Sequence, residues 1–176
     1  MTHLRTFFYT GIIGFLGFIV SGCDAANNHE EKQAAPVTKA DPYSHMKMRK
    51  IESAHEYVYD DIKSAITDRG IKINNISHIG NMLKRTAEAV GATQVVYERA
   101  EAIEFCSSTV SRKTMEADIH NIVFCPYIIS VYSLPGEKET TYVSYRIPTP
   151  VGTPESQESI KAVQVLLEEI ITSAVE

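Results

Sequence analysis

Tryptophan is absent from this 176-residue chain, and cysteine occurs only three times. No apolar run reaches the about 20 residues that a helix needs to cross a bilayer, the longest weakly polar-to-apolar stretch being the 14 residues from Phe7 to Val20. Cations are also scarce, with 17 Lys and Arg against 22 Asp and Glu and a net charge of −5. Without clustered Lys and Arg nothing can neutralise a run of phosphates, so nucleic acid is excluded as a partner. The usual catalytic signatures are missing as well. Ser107 and Ser108 stand in no G-x-S-x-G elbow, the glycines form no phosphate loop, and no C-x-x-C opens a helix to lower a thiol pKa. Glu101 and Glu104 fall on opposite faces of any strand that holds both, which argues against a paired acid and base. The residues do not point to an enzyme.

What is present begins at the N-terminus. Arg5 supplies a positive start, Phe7 to Val20 an apolar core of signal length, and Val20-Ser21-Gly22-Cys23 a small-residue end. Residues 1–22 therefore read as a removable signal peptide. V-S-G-C resembles the lipobox of bacterial lipoproteins, and the resemblance implies that the Cys23 thiol takes a diacylglycerol and becomes residue one after cleavage. Each buried acyl CH₂ contributes about 0.8 kcal/mol, and two or three chains anchor stably where one does not. Asp24 resembles the signal that keeps lipoproteins of enteric bacteria in the inner membrane. The expected address is an extracytoplasmic or periplasmic membrane face.

Loss of Arg5 with the signal takes the charge from −5 to −6. Asp24 to Tyr43 has no apolar period, so residues 23–43 read as a lipid-anchored flexible linker. Twenty such residues span on the order of 25 Å. Residues 44–176 are one domain's worth of chain without an internal repeat.

Within that domain the apolar period alternates between two and 3.6. His45–Ile51 is expected to be extended. Ser53 and Glu56 have capping-box spacing ahead of a helix whose face is Val58, Ile62, Ala65 and Ile66, with Gly70 as its stop. Ile71–Ile79 reads as a strand, and Met82–Val90 as a second helix ended by Gly91. Ala102–Ser108, Ile122–Leu134 and Thr140–Ile147 are strands by β-branched and aromatic content, the last two joined by a turn at Leu134-Pro135-Gly136-Glu137. Ser111–His120 is a polar, helical or looped excursion between the first two. Thr153-Pro154 opens a closing helix with Ile160, Val163, Leu167, Ile170, Ile171 and Ala174 on one stripe. This order predicts an α+β fold, an antiparallel sheet with helices on one face.

Ile103–Asp118 (I-E-F-C-S-S-T-V-S-R-K-T-M-E-A-D), Asn121–Tyr127 (N-I-V-F-C-P-Y) and Val131–Glu137 (V-Y-S-L-P-G-E) resemble the domain of unknown function 302 family. Asn75–Thr86 (N-I-S-H-I-G-N-M-L-K-R-T) is similar to one branch of it. Much of the family has Gly at the place of Cys106 and an aliphatic residue at that of Cys125, so the likeness is to a cysteine-containing branch. It implies a TATA-binding-protein-like topology of strand, helix, four strands and helix, here with an inserted helix, and homodimers as possible assemblies. It implies no activity and lends no support to DNA binding.

Cys106 and Cys125 are the thiols left once Cys23 is lipidated, and an oxidising compartment favours their pairing. On neighbouring strands with agreeing faces, a Cα separation of about 4.5 Å would lie within disulfide range, although Pro126 can upset that parity. The alternatives are a redox or sulfur-carrying dithiol and a soft-metal site drawing on Met115, His120 and Cys125, a set that would suit copper. Copper or haem would be the cofactor in that case; none is demanded. His78 and Glu104 are candidates for lining a pocket, and the tyrosines for a ligand groove. His55 reads as a helix-surface residue. Two functions remain open: a non-catalytic module binding an unknown protein or small molecule with the cysteines as a staple, or a thiol-redox, sulfur- or metal-handling accessory using Cys106 and Cys125.

Overall fold

The computed structural model describes residues 41–176; the expected signal peptide, Cys23 and the expected linker up to residue 40 lie outside them. Five strands form one antiparallel sheet: β1 (Met46–Ile51), β2 (Ile73–Ser77), β3 (Arg99–Phe105), β4 (Tyr127–Ser133) and β5 (Thr141–Arg146), in the order β1-β5-β4-β3-β2. The four helices are α1 (His55–Thr67), α2 (Ile79–Thr86), α3 (Ser108–Ala117) and α4 (Pro154–Val175). None of the described helices is long and apolar enough to cross a membrane.

The period of two in the strands decides which face is covered. Ile103 and Phe105 of β3, Tyr127, Ile129 and Val131 of β4, and Val143 and Tyr145 of β5 turn to one side and are buried. Against them pack Val58, Ile62 and Ile66 of α1 and Val163, Leu167, Ile170 and Ile171 of α4. Full burial of such a side chain contributes about 1.5–3 kcal/mol, so this layer is the main source of stability. Polar ties fix the helices over it. Arg49 reaches from β1 to Glu168 and donates to Thr172 Oγ1 at 2.8 Å, while Tyr145 Oη donates to Glu168 Oε2 at 2.9 Å. The Arg49 guanidinium holds the Glu168 carboxyl below the usual carboxylate range, and burial pushes the Tyr145 hydroxyl upward. Arg69 closes the other end of the helix pair by donating to Ser173 Oγ at 3.0 Å and to the Glu169 carbonyl at 3.0 Å.

Most of the expected elements form, but α2 starts at Ile79, inside the strand expected over Ile71–Ile79, and gives way after Thr86 to a 3-10 turn at Glu88–Val90, and three more expectations are corrected. The Ser53–Glu56 capping box does not: Ala54 is the N-cap of α1 and no side chain caps it, because the Ser53 carbonyl is drawn to the sheet, accepting from Thr141 Oγ1 at 2.8 Å. The strand expected over Ala102–Ser108 stops at Phe105, since Ser107 instead caps α3 by accepting from the Val110 amide at 3.4 Å. The strand expected from Ile122 begins only at Tyr127, and Ile119–Phe124 forms a 3-10 helix that leaves Ile122 and Val123 exposed. Thr153 caps α4 as expected, accepting from the Ser156 amide at 3.2 Å.

The other sheet face carries Met46 and Met48 of β1, Ser144 and Arg146 of β5, Ile128, Ser130 and Tyr132 of β4, and Ala100 of β3. No long helix covers it. The short α2 borders it at one end, where Gly80 permits close approach: a Cβ there would stand 2.9 Å from the Ala100 backbone nitrogen.

Candidate functional site

The two cysteines meet. Cys106 immediately follows β3 and Cys125 ends the 3-10 helix before β4, with Cα atoms 6.5 Å apart, within disulfide range. Both lie just beyond the paired strands, whose last register partners are Phe105 and Tyr127. The 19-residue span that they close contains α3 and the 3-10 helix. Buried Asn121 ties this excursion down from inside, its Nδ2 donating to the Thr114 carbonyl and to Ser156 Oγ, each at 2.9 Å.

The candidate metal set Met115, His120 and Cys125 is not assembled. The Cys125 sulfur is paired with Cys106, which removes the thiolate such a site needs, and His120 is exposed. Among the described residues no group of three or more His, Cys, Asp or Glu is placed to hold a metal. His78 and Glu104 also fail to share a pocket, because neighbouring backbone parities send them to opposite faces. Glu104 accepts from Ser77 Oγ at 3.0 Å and Asn75 Nδ2 at 3.3 Å on the open face, whereas His78 Nδ1 lies 3.7 Å from Glu101 Oε1 on the helix side.

Glu101 is the carboxylate that matters there. His55, at the start of α1, points inward and is only 4 % exposed, with Nε2 2.8 Å from Glu101 Oε2 and 3.4 Å from the Val131 carbonyl. Its Nδ1 has no hydrogen-bond partner, and the close approach to Oε2 lacks hydrogen-bond geometry. Burial lowers the His55 pKa, with the Arg99 charge acting in the same direction; Glu101 and the Val131 carbonyl oppose it. Tyr59 stacks on the imidazole at 5.7 Å between centroids. Reading His55 as a surface residue was wrong because it stands three and seven residues before Val58 and Ile62, on the buried stripe of α1. The available signal was Glu101 itself, which shares its strand parity with Ile103 and Phe105.

The open face holds a cavity of about 500 Å³, within the usual size of small-molecule pockets. Val123 and Phe124 beside β4 and Ile147, Pro148 and Val151 after β5 line it together with Met46, Ile128, Ser130 and Ser144, and it reaches past the sheet end to Tyr127, Tyr145 and Leu167 of the helix-covered side. A smaller hollow of about 200 Å³ shares Met46, Ser130 and Ser144 with it and ends at Ile79, Tyr97, Glu101 and Tyr132. Tyr132 stacks on Tyr142 with centroids 5.3 Å apart, and its hydroxyl lies 3.2 Å from Met48 Sδ. A larger but more open hollow of about 700 Å³ separates α3 from α4 and carries charges of both signs, Lys113 with Glu155 and Glu158. Sequence reasoning placed tyrosines in a possible groove but missed this cavity, since loops distant in sequence wall it.

The fold has a solved counterpart. The crystal structure of an uncharacterized conserved protein, DUF302, from Bacillus stearothermophilus superposes with a TM-score of 0.62 at 12% sequence identity, the match covering 74% of this chain and 98% of the other. No curated protein matches the chain. The model of the family described as "Domain of unknown function DUF302" matches residues 48–174, nearly the whole described domain. The chain belongs to the DUF302 family.

Proposed function

We propose that this protein is an extracytoplasmic lipoprotein, held at a bacterial membrane by acyl chains on Cys23, whose domain is a non-catalytic module that binds a small molecule or partner. The short apolar run, the V-S-G-C end and the period-free tether support the address, and Asp24 favours the inner membrane. The observation that carries the binding role is the largely apolar cavity of about 500 Å³ that opens on the uncovered sheet face and reaches round the sheet end to Leu167 of α4. The cysteine pair acts in this reading as a staple, holding the excursion that supplies Val123 and Phe124 to the cavity wall.

The test uses the full chain expressed in a bacterium with labelled palmitate, followed by non-denaturing mass spectrometry of the extracted protein. Incorporation of label that Cys23→Ala abolishes, together with a non-covalently bound small molecule, is expected. An unlabelled chain contradicts the address. A stoichiometric metal, or thiols that cycle during turnover, contradicts the binding role and favours a thiol-redox or metal-handling accessory.

A further inference from the structure

We propose that the cavity on the open sheet face takes a free single-chain amphiphile with an anionic head, a long-chain carboxylate. This deepens the binding-module reading and rests on it. Three features of the lining lead to this chemistry. Its walls are apolar, with Val123 77% exposed and Val151 48% exposed, so aliphatic surface stands open to solvent beside Phe124, Ile128 and Ile147. Covering such surface is what a hydrocarbon chain does favourably.

The second feature is charge. Acidic residues outnumber basic ones in the chain, yet no carboxylate lines this cavity; Arg146 does, with His45 near it. Arg146 ends β5 and makes no ion pair among the described residues. An unpaired guanidinium at an apolar hollow complements a carboxylate head bidentately. The third is shape: the shared residues Met46, Ser130 and Ser144 continue the lining along β4 and β5 into the smaller hollow, whose far end holds the Glu101 carboxylate, so the anionic head belongs at the Arg146 end and the chain runs toward the other. An elongated trough suits a chain better than a compact ring.

Residues 41–176 fall within one compact unit, and the Bacillus protein that they resemble is almost entirely this fold, so this domain serves for the test. Decanoate, undecanoate, dodecanoate, dodecanol and dodecyltrimethylammonium, all below their micelle concentrations, are titrated calorimetrically. Carboxylate binding at one per chain is expected, tightening about fourfold for each methylene that is fully buried. Dodecyltrimethylammonium should bind at least about fivefold more weakly than dodecanoate. Arg146→Glu should invert that order and Arg146→Lys preserve it. Val123→Asp, at a position too exposed to disturb folding, should weaken dodecanoate.

Equal affinity for the three heads overturns the proposal, as does binding to phosphatidylglycerol vesicles without binding of monomeric carboxylate. A concentration-dependent dimer that buries Val123 and Ile128 and excludes every ligand overturns it too. Absence of dodecanoate binding while mass spectrometry finds another small molecule on the protein sinks the carboxylate assignment and leaves the binding module standing. Absence of both sinks the small-molecule reading of the cavity as well.

Discussion

His55 Nε2 and Glu101 Oε2 lie 2.8 Å apart beneath the start of α1, both side chains less than a tenth exposed. The ring is buried with an orphaned Nδ1, and its pKa is lowered, first by burial. In the unfolded chain the same imidazole titrates near 6.5. Below that pH the unfolded state binds the proton that the folded state resists, so the stability present above pH 6.5 is lost as the pH falls toward the lowered folded value. Urea unfolding between pH 7 and 5 should show declining stability, and His55→Gln should flatten that slope. An unchanged slope in the variant contradicts the assignment.

The cysteine pair gives a second expectation. Closing a span of this length is worth about 3 kcal/mol when unstrained. Cys106→Ser should lose stability on that order in urea, and the unaltered protein under reductant should fall to a similar value. A reductant-insensitive midpoint would mean that the pair contributes nothing.

Gly80 is the point where α2 meets β3. A methyl group at this position would stand 2.9 Å from the Ala100 nitrogen, a backbone atom that cannot rotate away. Gly80→Ala should therefore displace α2 at a cost of about 1–3 kcal/mol. Amide exchange should rise in residues 79–86 while β4 and β5 stay protected.

The closing helix offers an internal control. Leu167 is 2% exposed against the sheet and Val165 is 55% exposed on the same helix. Leu167→Ala should cost about 2–5 kcal/mol, and Val165→Ala no more than about 0.5 kcal/mol. Similar losses from the two would mean that α4 faces the sheet differently.

These contrasts also explain which parts of the molecule the sequence exposes. The α4 stripe and the β3 alternation are local periods, and local periods survive folding, so α4 and the inward-facing residues are readable in advance. Ile122 and Val123 have strand-forming side chains but lie in a 3-10 helix, because Asn121 is anchored to Thr114 and Ser156. No local pattern reveals that anchoring. The site is harder still: the His55–Glu101 contact depends on how α1 packs over β3, 46 residues away in sequence, and the cavity joins β1, β4, β5 and two loops. The cysteines were readable as a pair only because few thiols exist to choose from.

The central claim is an acylated, bridged binding module, and one measurement addresses it directly. The protein is extracted from membranes and its intact mass is recorded under denaturing and non-denaturing conditions, with thiol alkylation beforehand. The account predicts a chain beginning at an acylated Cys23, no alkylated cysteine, and a released small molecule in the non-denaturing spectrum. A retained signal segment, alkylated Cys106 and Cys125, or a stoichiometric metal in place of the small molecule would contradict it.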